Sequence, residues 1–287
     1  ALQLGSGTRA LVCLNTNYVA GLMMLVRGLE LNWELTIVQP VSNPIQDLRQ
    51  EFDFTALVPM QLMACLENDS TRPHVSDLGK ILLGGAPVSL TLRNKIEKLQ
   101  QPVFQSYGMT ETVSHVALRR LNGKDHIELY TLLPLVQAGK DDRDCLWVAG
   151  PMTNQEMIQT NDLVEFESEN SFRWLGRADN VINSGGVKII LDRIDEVVSG
   201  ILYKMGQSAA FFSWYEPDEK LGQKLVLFIE SERPKLDSEM VIKEIRKHLS
   251  AFEIPKHVYF VDRFLKTQTD KIDRRQTAST FFNRLHG

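Results

Sequence analysis

Apolar residues along the first hundred positions come in short blocks of two kinds, and their alternation predicts an architecture. RALVCL (9–14) is an unbroken apolar run of strand length, and TNYVAGLMMLVRGLEL after it has the apolar spacing of a helix packed on a sheet. ELTIVQP (34–40) reads as a second strand stopped by Pro40, a helix is expected over 44–51, and FTALVPM (54–60) reads as a strand closed by Pro59. KILLGGAPVS (80–89) is a further strand ending at Gly84-Gly85, and SLTLRNKIEKL is a helix with Ser89 as its N-cap. Strand, helix and strand in repetition imply right-handed crossovers and a largely parallel sheet.

From VFQSYGMTETVSH (103–115) onward the pattern becomes less regular and more β-like, through CLWVAG and QTNDLVEF to FRWLGRADNV, which reads as antiparallel. SGGVKIILDRIDEVVSGIL then changes to a strand and an amphipathic helix, LVLFIE is a strand, and DSEMVIKEIRKHLSAFEIP is a helix ended by Pro255. The expected fold class is therefore α/β: a large, mostly parallel-sheet domain with a β-rich subregion over residues 1–178, followed by a small mobile α+β C-terminal domain over 179–287. No repeat and no Gly/Ser linker separates them, so a hinge is expected rather than a tether.

Composition narrows the class. The 287 residues are 43% hydrophobic and 24% charged, ordinary for a globular protein and far from the signature of disorder. A net charge of -4 gives no basic field for nucleic acid or an anionic membrane, and small-molecule chemistry fits better. Cys13, Cys65 and Cys145 are widely spaced in apolar runs without a CxxC pair, which reads as reduced core thiols. No segment reaches the roughly 18 to 20 apolar residues that span a bilayer, and the start has no secretory pattern, so a cytoplasmic location is expected. Ala1 in place of Met suggests a chain that begins partway into a longer protein.

Two stretches carry chemistry. Gly84-Gly85 follows a strand in a parallel sheet, where ligands gather and a planar group can approach backbone; the same pair also suits a plain turn. In Tyr107-Gly108-Met109-Thr110-Glu111-Thr112 an aromatic ring, hydroxyls and a carboxylate suit stacking on a base, phosphate oxygens and Mg²⁺; an exposed turn would also have this composition.

These residues resemble the Tyr-Gly-x-Thr-Glu motif of the adenylate-forming superfamily of acyl CoA synthetases, luciferases and peptide-synthetase adenylation domains. The resemblance implies ATP, Mg²⁺ and CoA as ligands. It places Gly84, Gly85 and Ala86 with Tyr107 and Gly108 at the nucleotide, Thr110 and Glu111 at the reacting phosphates, and Glu111 on the metal. Asp162 would hold the ribose, although Asn161 stands where the superfamily usually has Gly. Arg177 would contact ribose or phosphate, and Asp179 would be the hinge on which the small domain turns. Gly185, Gly186 and Lys188 fall in the loop that approaches CoA. Lys266 to Arg274 looks like the C-terminal lysine motif, with Lys271 as the catalytic lysine; Asp270 replaces a usual Gly and Leu265 a frequent Pro. These motifs, in the superfamily's order, span residues 84 to 274. The Ser/Thr/Gly-rich phosphate loop expected upstream is not matched by Gly5-Ser6-Gly7-Thr8.

The short span from Glu111 to Asp162 and the text CLNTNYVAGLMMLVRGLEL look like the compact o-succinylbenzoate CoA ligases of menaquinone synthesis. The implied function is an ATP-dependent acid-thiol ligase acting on a small-molecule carboxylic acid and CoA, with no oligomeric state implied. Such a pocket must hold an aromatic ring and pair a second carboxylate; Tyr18, Ser114 and His115 are candidates, with Arg119 and Arg120 as possible counter-charges. Lys271 and the metal would balance charge during adenylation, and rotation about Asp179 would then admit the thiol. Two other readings stay open. One is an aryl or fatty acyl CoA ligase, or an adenylation domain feeding a carrier protein; the other is a non-catalytic nucleotide- or acyl-binding protein.

Overall fold

In the computed structural model, residues 2–207, 209–231, 237–267 and 272–286 are described. The chain divides into two compact units, residues 1–160 with 164–174, and residues 161–163 with 175–287. Asp162 and Arg177 thus group with the second unit.

In the first unit the elements run β1 (Arg9–Val12), α1 (Val19–Glu30), β2 (Glu34–Ile37), β3 (Phe54–Leu57), α2 (Pro59–Glu67), β4 (Lys80–Leu83), α3 (Leu90–Ile96) and β5 (Val103–Gly108). The order β2-β1-β3-β4-β5 is parallel throughout. Period-two alternation splits the side chains between two cores: Leu11, Leu57, Ile81 and Leu83 pack on one face with Leu62 of α2 and Leu92 of α3, while Ala10, Val12, Ala56 and Leu82 pack on the other with Met24 of α1. Burial on both faces explains why these strands are continuous apolar runs rather than alternating ones. Each fully buried Leu contributes about 1.5–3 kcal/mol of transfer free energy.

The sheet changes character after β5. Strands β6 (His115–Arg120), β7 (Tyr130–Leu132), β8 (Gln137–Lys140), β9 (Cys145–Ala149), β10 (Ile158–Ser168) and β11 (Ser171–Arg177) complete it, and β5–β6, β6–β7, β7–β11 and β8–β9 are antiparallel. Among the described residues this sheet has 11 strands, ending in the order β6-β7-β11-β10-β9-β8.

The second unit contains β12 (Val181–Ser184), β13 (Val187–Ile190), α4 (Leu191–Lys204), β14 (Phe211–Asp218), β15 (Gly222–Glu230), α5 (Ser238–Ile245), β16 (His257–Val261) and α6 (Arg274–His286). Ile194, Val198, Ile201 and Leu202 form the helical stripe of α4 and pack on Leu225, Leu227 and Ile229 of β15, with Val241 and Ile245 of α5. Phe212, Val226 and Phe228 face the other way, toward Phe264 and Ala278, the latter on α6. The expected α/β class is observed, with a large sheet, a β-rich stretch and a smaller C-terminal sheet with helices. No helix among the described residues is long and apolar enough to cross a membrane.

Three expectations change, the first being that the helix expected to run to Pro255 ends at Ile245. The helix expected over 44–51 is a turn at 44–47, because Arg49 Nη1 caps the carbonyls of Gln46 and Leu48 at 3.0 and 2.6 Å and so competes with helix bonds. Pro59 ends the strand run as expected but also opens α2, where its missing N–H costs nothing.

Candidate active site

Strands β4 and β5 both end at the same edge of the parallel sheet, and the loops that leave them are starved of side chains. A Cβ on Gly84 would lie 2.9 Å from Ser106 Oγ, and Gly85 turns at φ +81, so backbone rather than side chain lines this edge. Ala86 beyond it is exposed. Tyr107 is half-buried and packs edge-on against Phe172 at 5.4 Å, which fixes the ring.

Gly108 permits a sharp reversal into β6: a Cβ there would stand 2.5 Å from the Ser114 carbonyl oxygen and 2.6 Å from His115 Cα. Residues Thr110–Thr112 form one 3-10 turn. The buried Thr112 hydroxyl accepts from Met109 N–H at 3.1 Å and donates to the Ser114 carbonyl at 2.7 Å, pinning the turn from inside. Thr110 and Glu111 consequently point outward and are exposed. Val113 follows at φ +60, a strained backbone for a β-branched residue, of the kind found at ligand sites.

Beside this hairpin lies a cavity of about 470 Å³. Val19 and Met23 of α1, with Ala56, Val58 and Leu82, give it apolar lining, and Gly84, Gly85, Ser106, Gly108, Thr110, Ser114 and His115 line it as well. Tyr18 lines it too while remaining 71% exposed, which places it at the mouth.

The charge in this cavity comes from Arg27 of α1, which the sequence reading had not singled out. Arg27 Nη2 donates to Ser114 Oγ and stands 3.5 Å from His115 Nδ1, while Ser114 Oγ is 3.3 Å from the same nitrogen. Burial lowers the Arg27 pKa, yet a guanidinium stays charged at neutral pH. Burial first, and the Arg27 charge second, lower the His115 pKa to about 4, so His115 is neutral and Arg27 is the cation. Arg119 and Arg120 are engaged elsewhere: Arg119 donates to Gln105 Oε1 at 2.8 Å and lies over the Tyr130 ring, and Arg120 Nε donates to the Asn122 carbonyl at 3.0 Å.

In the second unit, Arg177 Nη2 is 3.0 Å from Asp179 Oδ2 and its Nη1 is 3.8 Å from Asp162 Oδ1. Asn161 Nδ2 donates to Asp179 at 3.5 Å, so the residue standing in place of the usual Gly binds the expected hinge carboxylate. Gly185 and Gly186, at φ +60 and +84, form the two-residue turn between β12 and β13, and Lys188 is exposed just beyond it. Lys271 lies outside the described residues.

The donor set fits a nucleotide with Mg²⁺ better than a protein-caged metal. Among the described residues no cluster of three or more His, Cys, Asp or Glu could hold an ion. One exposed carboxylate, Glu111, is what a Mg²⁺ that keeps waters and phosphate oxygens requires.

Residues 2–136 match the AMP-binding enzyme family, and residues 214–271 match the AMP-binding enzyme C-terminal domain. A solved acyl-CoA synthetase (AMP-forming)/AMP-acid ligase II-like protein from Dyadobacter fermentans is 57% identical, with 97% of this chain and 80% of that one covered and a TM-score of 0.63. The 2-succinylbenzoate–CoA ligase of Oceanobacillus iheyensis is 24% identical over 96% of this chain and 62% of its own length. The oxalate–CoA ligase of Saccharomyces cerevisiae is 34% identical over 77% of this chain and 45% of its own length. The chain therefore spans less than two thirds of either ligase.

Proposed function

We propose, from the premise that this chain belongs to the AMP-binding enzyme family, that it activates a carboxylic acid with ATP as an acyl adenylate and passes the acyl group to CoA, the acid being o-succinylbenzoate. The observation that carries the choice of acid is the half-buried guanidinium of Arg27, the sole Lys or Arg side chain among the described residues that line an apolar-walled cavity. An aromatic acid with a second carboxylate needs both: surface for its ring, and a desolvated cation for the carboxylate that is not activated. Arg27, held by Ser114 beside a neutral His115, supplies that cation.

In the first half-reaction a carboxylate oxygen bonds to the α-phosphorus and pyrophosphate leaves. Gly84, Gly85, Ala86, Tyr107 and Gly108 would bind adenine, Asp162 and Arg177 the ribose and phosphate, and Thr110 the phosphate oxygens. Glu111 would hold Mg²⁺, which when bound offsets phosphate charge. Lys271 would stabilise the charge that develops. In the second half-reaction the CoA sulfur bonds to the acyl carbon, AMP leaves and the thiol proton is released. The domain over 179–287 would turn at Asp179 between the two steps, and the Gly185–Gly186 turn with Lys188 would receive CoA, thin enough to pass backbone without side chains.

A second reading is another dicarboxylic acid, favoured by the 34% identity to an oxalate–CoA ligase. Against a two-carbon acid stands the cavity, whose volume of about 470 Å³ and apolar wall leave most of the space unfilled. Thermal unfolding with non-hydrolysable adenylate analogues separates the cases. A ligand at ~100 times its dissociation constant adds about 2.7 kcal/mol of stability. Selective stabilisation by the o-succinylbenzoyl analogue over benzoyl, fatty acyl and oxalyl analogues is expected. Equal stabilisation by the benzoyl analogue would remove the diacid reading.

A further inference from the structure

In the second unit, the carboxylate of Asp192 gathers more partners than its place in the sequence announces. It accepts from the Arg177 backbone N–H at 2.9 Å and from Asn180 Nδ2 at 3.0 and 3.1 Å. These two residues bracket Asp179. Two further observations mark a built contact. Gly176 turns at φ +149, and a Cβ there would lie 2.8 Å from Asp192 Oδ2, so the strand approaches this carboxylate only because residue 176 lacks a side chain. Asp192 also sits in the first turn of α4, where free backbone N–H groups favour an anion.

On its other side Asp192 Oδ1 is 3.9 Å from Arg274, the first residue of α6, whose second nitrogen lies 3.0 Å from Asp195 Oδ2. Asp195 in turn accepts from Ser213 N–H at 2.7 Å, which ties the group to β14. Arg274 closes the 266–274 stretch that carries Lys271.

We propose that Asp192 is a positioning residue for the pivot: it clamps Arg177 and Asn180, on either side of Asp179, to the start of α4, so that a turn at Asp179 requires the Arg177 contact to break, and through Arg274 it couples that release to the lysine-bearing stretch. This rests on the reading of the chain as a two-step ligase that turns at Asp179. Without the clamp Arg177 would be released from α4 and the chain could turn at Asp179 with no contact to break. The carboxylate acts through the residues it holds.

Limited trypsin digestion tests the clamp without requiring catalysis. The exposed Arg177 is a cleavage site whose backbone N–H is held by Asp192. Asp192→Ala and Asn180→Ala, the second leaving the charge on α4 intact, are each expected to speed cleavage between Arg177 and Ala178 about tenfold, the size of losing a hydrogen bond to a charged group. Cleavage at the other Lys and Arg sites should stay within about twofold of the parent on the same scale. No change at Arg177, or equal acceleration at every site, would overturn the clamp. In protein that shows ligase activity, Asp192→Ala should also change the ratio of adenylate formation to thioester formation from preformed adenylate by about tenfold; equal loss of both rates would overturn the coupling to the pivot. Unsubstituted protein without either half-reaction would count against the ligase reading, and digestion would still decide the clamp.

Discussion

Arg27 is held in place by a hydroxyl and a neutral imidazole, neither of which cancels its charge. A carboxylate entering the cavity therefore meets a cation that pairs with no carboxylate among the described residues. Arg27→Gln should weaken an o-succinylbenzoyl adenylate analogue about 10- to 100-fold in a titration and leave a benzoyl analogue nearly unchanged, since hydrogen bonds to charged groups are worth about 1.5–3 kcal/mol. Equal weakening of both would assign Arg27 a packing role. His115 gives a second test. Its folded pKa of about 4 lies below the ordinary value of 6.5, so between those values the unfolded chain binds the extra proton. Stability is then fully present above about pH 6.5 and falls by about 3 kcal/mol as pH drops toward 4. His115→Gln should flatten that part of a denaturation-against-pH curve; an unchanged slope would assign it to other groups.

Among the elements, α1 does most to shape the cavity, and its entry is tight. A Cβ on Gly21 would lie 2.4 Å from the Asn15 carbonyl oxygen and 2.8 Å from Thr16 N, both backbone atoms that cannot step aside cheaply. Gly21→Ala should destabilise the protein by about 1–3 kcal/mol in chemical denaturation and displace the helix carrying Arg27; a neutral result would show that the 15–16 turn yields. The same helix shows where sequence reading stops. Its existence was plain from apolar spacing, as were the N-cap at Ser89, whose side chain accepts from Leu92 N–H, and the glycine-ended strand β4. Arg27 was not, because an arginine among apolar residues on a helix has the local pattern of a surface charge. The clue was that it interrupts the run from Val19 to Leu29, where it is the sole charged residue. Helix α6 was missed for a related reason: RRQTASTFFNRLH is mostly polar, and its apolar residues match the aromatic face of β15 rather than a regular stripe. The roles proposed for Tyr107 and Glu111 come through resemblance, whereas Asp192 belongs to no motif and needed coordinates.

For the whole molecule, the two units have separate cores, so a single unfolding free energy should not describe the chain. Leu227→Ala, in the core of the second unit, should lower one transition by about 2–5 kcal/mol and leave the other in place. Trp214 fluorescence in the second unit, followed in a protein whose Trp33, Trp147 and Trp174 are replaced by Phe, would report it; superposed shifts in both transitions would show one cooperative body. The first unit also contains the β5–β6 hairpin, with Thr110 and Glu111 at its tip and Ser114 and His115 at its return. Gly108 is crowded and Thr112 pinned there, so the hairpin has no slack to absorb an inserted or deleted residue. A lineage under selection for a new acid is thereby steered toward exchanging side chains on α1, 12 consecutive residues outside the hairpin. Descendants of one ancestor would diverge in diet while the nucleotide signature stays frozen, and the helix, not the signature, would record that history.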